Sequence, residues 1–338
     1  MARVLLATVL LSLTACSADP APTDRQAQTV TRDNFIRAET DNYFAGFAKE
    51  GAFGKLVHAR ELADVNNQTI VRTNRDTLYS RGVFDLDAGP VTITLPDAKG
   101  RFMSLLLINE DHYNPATIYA PGPHTITREQ VGTRYVALLV RTFVDPGDPA
   151  DLDAAHALQD QITTEQASPG TFEVPAWDQA SLTQVRDALK QEPARDPSKA
   201  FGTPETTEPE AHLIGTAQGW GGNPPADATY EFGQPEANDG KTVHRLTVKD
   251  VPVDGFWSVT VYNKDGFMEP NQQNAYSLNN VTAEKAADGS YTIQFGGCGQ
   301  GVKNCLPITP GWNYAVRLYR PRAAILDGSW TFPAAKPL

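Results

Sequence analysis

Short apolar runs of Val, Ile, Leu, Phe and Thr, some alternating with polar residues, recur over two stretches of the chain, residues 67–144 and 211–333, and Gly, Pro and Asp punctuate them. That pattern predicts antiparallel strands with one face in a core, not strands linked by regular crossover helices. Strands are expected at Leu78–Phe84, Val91–Leu95, Arg101–Ile108, Thr117–Tyr119 and Tyr135–Val140, then at Val243–Val248, Trp257–Tyr262, Tyr291–Phe295 and Tyr314–Tyr319. A helical period appears instead at Arg32–Gly51, where Asp33 is the expected N-cap and Phe35, Ile36, Tyr43, Phe44 and Phe47 form an apolar stripe. It returns at Leu152–Ile162 and Leu182–Leu189. The predicted fold is mainly β (α+β). Two antiparallel sandwiches of jelly-roll type, 31–147 and 211–338, are joined by a helical insert and connector over 148–210, and an N-terminal helix lies over a sheet.

One stretch departs from an ordinary strand. Residues Thr73 to Asp85 read TNRDTLYSRGVFD, so four hydrogen-bonding side chains (Asn74, Arg75, Asp76, Thr77) run straight into an alternating segment. If buried, such a cluster needs partners, which makes it either a clasp between parts of the fold or the lining of a site. A short internal repeat accompanies it. Phe102 to Asn109 (FMSLLLIN) aligns with Phe256 to Asn263 (FWSVTVYN); each follows a Gly turn, and each is followed within two residues by Asp, at Asp111 and Asp265. The repeat suggests two similar halves with equivalent loops.

The N-terminus adds a compartment. Arg3 precedes a short apolar run, Val4–Leu13, that cannot span a bilayer and reads as the core of a signal peptide over 1–15. Leu13-Thr14-Ala15-Cys16 resembles a bacterial lipobox, which would leave Cys16 lipidated, and Ser17 after it suggests the outer membrane. Residues 16–30, rich in Ala, Pro, Thr, Asp and Gln, are expected to be a disordered tether. With 29 Lys and Arg against 40 Asp and Glu, a net charge of −11, nucleic acid is not an expected partner, and contact with the membrane is expected through the lipid alone. Setting Cys16 aside leaves Cys298 and Cys305, a pair across a Gly-rich loop in an oxidising compartment, and a structural disulfide is predicted.

Several blocks together resemble the DUF1254/DUF1214 two-domain family of bacterial envelope proteins. TNRDTLYS with Asp85, Gly89-Pro90 and Pro96-Asp97 carries the likeness to its N-terminal domain. DGFWSVTVYNKDGF, Asn271 to Ser277, LPITPG, RLYRP and ILDGSW carry that to its C-terminal domain. The resemblance implies two β-rich domains with a helical insert and assigns no reaction. Cys305 stands where the family tends to have Trp, and Ala275 where it tends to have Arg.

Candidate chemistry is drawn from the polar clusters at strand ends. Arg75 is suited to clamp a carboxylate or phosphate, with Asn74, Tyr79 and Asp76 beside it. His112, in the loop Asn109 to Asn114, is the candidate general base, with Asp111 as neighbour. Asn263 and Asp265 occupy the equivalent loop, and Arg317, facing inward, would need Asp76 or Asp265 as its partner. The six His residues (58, 112, 124, 156, 212 and 244) show no metal-binding spacing, and there is no G-x-S-x-G, S-x-x-K or phosphate loop, so no metal or cofactor is expected. Whether the chain is an enzyme is left open. Its primary reading is a binding protein for a small polar or amphiphilic ligand in an inter-domain cleft. A hydrolase of an ester or phosphoester using His112 and Asp76, and a scaffold at the outer membrane, are the alternatives. The sequence leaves the oligomeric state undefined.

Overall fold

A computed structural model describes residues 27–68, 71–193 and 195–338. The signal peptide, Cys16 and most of the tether lie outside the described residues. The first half carries β1 (Val57–His58), β2 (Thr77–Asp85), β3 (Val91–Leu95), β4 (Met103–Asn109), β5 (Thr117–Ile118), β6 (Gly122–Ile126), β7 (Tyr135–Phe143) and β8 (Thr163–Glu165). They form one sheet in the order β1-β2-β7-β4-β5 and a second in the order β6-β3-β8. The second half carries β9 (Ala228–Gly233), β10 (His244–Val248), β11 (Trp257–Tyr262), β12 (Ser277–Asn279), β13 (Tyr291–Phe295), β14 (Cys305–Leu306), β15 (Asn313–Tyr319) and β16 (Lys336–Pro337). Its sheets run β12-β11-β15-β9 and β14-β13-β10-β16. Pairing is antiparallel throughout the described ladders except between β13 and β14. The helices are α1 (Phe35–Lys49), α2 (Arg128–Val131), α3 (Pro149–Gln159), α4 (Gln179–Lys190), α5 (Pro209–Gly219) and α6 (Ala323–Leu326).

The halves are duplicates, and more completely than the short repeat implies. Strands β2 to β8 correspond in order and neighbours to β9, β10, β11, β12, β13, β15 and β16, with β14 as an addition. The registers agree residue by residue. Ser104 lies opposite Arg141 and Ser258 opposite Arg317; Tyr79 lies opposite Arg141 and Tyr230 opposite Arg317. Even the turns after the repeat match. The Asn109 side chain accepts from the backbone N–H groups of Asp111 and Tyr113, and Asn263 accepts from those of Asp265 and Phe267. Both turns place their fourth residue in the left-handed region, Gly266 at φ 83° and His112 at φ 61°. Glycine is at home there; an imidazole is not, and it needs a compensating environment.

Alternation decides where each strand buries its two faces. In β4, Met103, Leu105 and Leu107 fill the space between the two sheets of the first half, while Leu106 and Ile108 meet Phe44 of α1 on the other side. In β11, Trp257, Val259 and Val261 face the second sandwich. Helices α1, α4 and α5 share a cluster of Phe35, Ala38, Leu182, Leu189, Leu213, Ile214 and Ala217. Where the halves meet, the Phe102 and Phe256 rings lie 5.1 Å apart, and both pack on Tyr319. The predicted disulfide is present, with the Cys298 and Cys305 Cα atoms 5.5 Å apart, and it ties the edge strand β14 to the loop after β13.

Four boundaries shift from expectation. The N-cap of α1 is Asn34, not Asp33, and its side chain turns back to accept from the Thr31 N–H instead of capping the helix. Residues 28 and 30, assigned to the tether, belong to the fold: Gln28 bridges backbone-to-backbone with the segment at Trp177, and Val30 is buried in the helical cluster. Strand β8 lies inside the proposed insert yet pairs with β3, so the first sandwich closes well beyond residue 147. Helix α5 straddles the limit at 210. It escapes periodicity because Ala211, His212, Leu213, Ile214, Thr216 and Ala217 are buried around most of its circumference, leaving no polar face to set a rhythm.

Gly255 sits where the turn before β11 packs closely on β15 of its own half and on Phe102 of the other. A Cβ there would sit 2.7 Å from the Tyr319 carbonyl oxygen and 3.1 Å from the Phe102 ring. Gly255→Ala is therefore expected to cost about 1–3 kcal/mol through overpacking, read as a lower urea midpoint; an unchanged midpoint would mean that the turn is not packed this closely.

Candidate functional site

The polar stretch before β2 resolves as a clasp. Asn74 donates from Nδ2 to the Tyr319 hydroxyl at 3.0 Å and to Thr77 Oγ1 at 3.2 Å, linking the first half to the second. Arg75 donates to the Ala63 carbonyl at 2.6 Å and lies over the Tyr276 ring. Asp76 is fully buried; its Oδ1 accepts from Asn279 Nδ2 at 3.2 Å and from Ser277 Oγ at 3.5 Å, both on β12 of the other half. Its Oδ2 reaches no partner in normal geometry. Burial pushes the Asp76 carboxyl above the usual carboxylate range, against the opposing pull of the nearby Arg317 charge and the surrounding hydroxyl and amide groups.

Two buried guanidiniums complete the clasp, and they do so symmetrically. Arg317 of β15 donates to Thr260 Oγ1 (2.9 Å), to the Tyr262 hydroxyl (2.8 Å) and to the carbonyl of Arg72, in the segment that leads into β2. Arg141 of β7 donates to Asn223 Oδ1 (3.0 Å) and to the carbonyl of Gly221 (2.9 Å), in the segment that leads into β9. Each half thus holds the lead-in of the other. Burial works against both charges, yet the neighbouring phenols, and Asp76 in the case of Arg317, keep both above their ordinary pKa. The expected carboxylate partner of Arg317 is thus Asp76, acting through its charge and without a direct contact; Asp265 is exposed and pairs with Lys264.

His112 corrects the general-base assignment. Its ring is fully buried; Gly221 N–H donates to Nε2 at 2.9 Å, so the proton sits on Nδ1 and is donated to Thr216 Oγ1 at 2.8 Å. Thr216 in turn donates to the His212 carbonyl. Burial, helped by the neighbouring His212, holds the imidazole well below its usual pKa and therefore neutral. With both nitrogens engaged, no lone pair is free to take a proton from a substrate. These bonds supply the compensation that the left-handed backbone at this position requires. Asp76, buried in the other half's β12 contacts, is not placed to work with His112. Asp111 is occupied on the surface by Arg37, at 2.5 Å, and Asn263 uses its side chain to close its own turn and to reach Glu269. Tyr79 lies beneath Arg141. Of the residues named from sequence, Asn74, Asp76, Tyr79 and Arg317 converge on the clasp; Arg75, His112, Asp111, Asn263 and Asp265 lie elsewhere. Among the described residues no group of His, Cys, Asp and Glu is arranged to hold a metal.

An open site lies beside the clasp, where the equivalent turns of the two halves meet. Gly100 to Met103 on one side and Asp254 to Phe256 on the other line a cavity of about 380 Å3. Its apolar lining is Phe102, Phe143, Phe256, Tyr119 and the exposed Val281, and its cations are Arg101 and Arg320. Arg101 is committed to Asp151 and to the Phe143 carbonyl. Arg320 lies over the Tyr119 ring, 4.6 Å from its centroid, and its guanidinium has no hydrogen bond or ion pair among the described residues. A second cavity, also about 380 Å3, sits beside the disulfide and belongs to the second half alone. Sequence reasoning missed Arg101, Tyr119 and Arg320. It had one usable signal: the aligned Phe102 and Phe256 mark both walls.

Two sandwiches of one topology, clasped face to face around this junction, define a duplicated two-domain β protein. The chain belongs to the DUF1254/DUF1214 family: residues 53–127 match the model described as protein of unknown function DUF1254, and residues 229–323 match the one described as protein of unknown function DUF1214. No curated protein matches the sequence. Among solved structures it is similar to the VPA0106 protein of Vibrio parahaemolyticus, at 20% identity and a TM-score of 0.67, over 90% of this chain and 98% of that one. It is also similar to a putative uncharacterized protein of Burkholderia cenocepacia, at 14% identity and a TM-score of 0.52, over 90% and 86% of the two chains. At these identities the likeness is one of fold.

Two buried groups give measurable consequences. His112→Ala removes partners from Thr216 and Gly221 and opens a cavity, so a loss of about 2–4 kcal/mol in urea unfolding is expected. Asp41 of α1 is buried, with one carboxyl oxygen accepting from Trp177 Nε1 at 2.9 Å and the other unpartnered. Burial and the negative charges of Glu110 and Asp111 raise its pKa to about 7, against Trp177 and Arg37. The folded state then holds a proton that the unfolded chain releases above about pH 4, so Asp41 lowers stability as pH rises from about 4 to 7. Asp41→Asn should be more stable than wild type at pH 8 and close to it at pH 4; an equal difference at both would contradict the assignment.

Proposed function

We propose that the protein is a lipid-anchored binding protein of the cell envelope that holds a small amphiphilic ligand in the junctional cleft. The observation that carries this reading is the cleft's composition: half-buried aromatic rings of the first half facing Val281 of the second, a volume within the range of small-molecule sites, and a guanidinium with no hydrogen bond or ion pair among the described residues. Envelope location rests on the signal-like run Val4–Leu13 and the lipobox-like Leu13 to Cys16, and no described helix is long and apolar enough to cross a membrane. The hydrolase reading has less support, because His112 is neutral with both nitrogens bonded and Asp76 is enclosed in the clasp. The scaffold reading also has less: the exposed large apolar residues, such as Val71, Phe232, Val281 and Leu326, come from separate segments.

A neutral apolar fluorophore, N-phenyl-1-naphthylamine, tests the cleft on protein lacking residues 1–26. Saturable fluorescence enhancement is expected, weakened about tenfold or more when Val281→Trp crowds the mouth, with the unfolding midpoint unchanged. Binding that is absent, or indifferent to Val281→Trp, would overturn the reading.

A further inference from the structure

We infer that the cleft selects ligands that carry an acidic head group, a carboxylate or a phosphate, on an apolar body, and that Arg320 is the residue that reads the head; this rests on the cleft being a ligand site.

The argument begins with how Arg320 is held. Its backbone lies in the left-handed region, φ 52°, fixed on both sides: its N–H donates to the Asp227 carbonyl at 2.8 Å, and its own carbonyl accepts from the Asp254 N–H at 2.9 Å. A non-glycine residue held in that conformation is uncommon and persists where its surroundings determine it. The side chain is then steered by the Tyr119 ring beneath it, and Tyr119 is itself anchored, its hydroxyl donating to Asp227 Oδ1 at 2.8 Å. Thr117 donates to the other oxygen of the same carboxylate, so Asp227 is satisfied without Arg320. The remaining acid of the rim, Asp254, is taken by Arg322 at 2.7 Å. In a chain with eleven more acidic than basic residues, most arginines find a carboxylate or a carbonyl. Arg320 is positioned by backbone and ring contacts, and its donors are left free at the mouth of an aromatic cavity.

A guanidinium presents a planar fork of donors that matches a carboxylate or phosphate in two parallel hydrogen bonds. Held by cation–π contact it has already lost much of the freedom that binding would otherwise take from it. Behind it, the half-buried Phe102 and Tyr119 rings and the exposed Val281 offer an apolar surface for the rest of the ligand, with Phe143 and Phe256 buried beneath them. The site therefore favours an anionic amphiphile over its neutral counterpart.

Displacement of N-phenyl-1-naphthylamine by decanoate, decyl phosphate and decanol tests this, with wild type beside Arg320→Gln. The two acids are expected to bind about tenfold more tightly than decanol, the factor a single charge-assisted interaction at a part-exposed site provides. Arg320→Gln should abolish that preference while leaving decanol and the fluorophore unchanged. The ratio between decanoate and decyl phosphate separates a fatty acid from a phosphoester as the source of the head group. Decanol binding as tightly as the acids, or a preference that survives Arg320→Gln, overturns the inference and leaves the cleft as a neutral site. Failure of the fluorophore itself to bind overturns both readings together.

Discussion

Two arginines buried at equivalent positions govern the architecture. Isolated guanidiniums inside a protein are costly, and each of these is made tolerable by carbonyl and hydroxyl acceptors that the opposite lead-in or its own sheet supplies, with the Asp76 charge near Arg317 as well. Arg141 takes the carbonyl of Gly221 and the amide of Asn223; Arg317 takes the carbonyl of Arg72 and the hydroxyls of Thr260 and Tyr262. Separating the halves would strand both charges. The repeated topology thus generates its own interface: one Arg position, used in both halves, makes them mutually dependent.

The same reciprocity reaches outward. Gly221, whose carbonyl serves Arg141, offers its N–H to His112, and His112 in turn holds α5 through Thr216. The helical layer is thereby linked to the clasp through one residue, Gly221. On the opposite side, Phe102 and Phe256 bring the turns before β4 and β11 together, and the cleft opens where those turns stop covering each other. Its place is a consequence of the duplicated geometry, and Arg320, three residues beyond Arg317 along the chain, is delivered to its mouth by the strand that anchors the clasp.

Much of this was legible in sequence because strands advertise burial through a period of two. Val91–Leu95, Trp257–Tyr262 and Tyr291–Phe295 match their expected limits, and the repeat at Phe102 and Phe256, read as a sign of two similar halves, falls at the junction. A second repeat was present and unread: Arg141-Thr142-Phe143 and Arg317-Leu318-Tyr319 end the two central strands, and each Arg interrupts an otherwise apolar run. The role of His112 was not legible, since its acceptor and donor come from α5 and the turn after it, and α5 shows no amphipathic rhythm. Nor was Arg320, whose freedom depends on Asp227 and Asp254 being satisfied by other residues. A loop rich in Asp and His looks catalytic in one dimension; burial, which decides the matter, is set by residues about a hundred positions away.

The central claim is that the reciprocal arginine clasp makes the two sandwiches one cooperative unit. Scanning calorimetry of the chain lacking residues 1–26 tests it most directly, beside Arg141→Met and Arg317→Met. The account predicts a single wild-type transition whose calorimetric and van't Hoff enthalpies agree, and a split or broadened transition in either variant. Two separate transitions in the wild-type protein, or variants that unfold as one unit at an unchanged temperature, would contradict it.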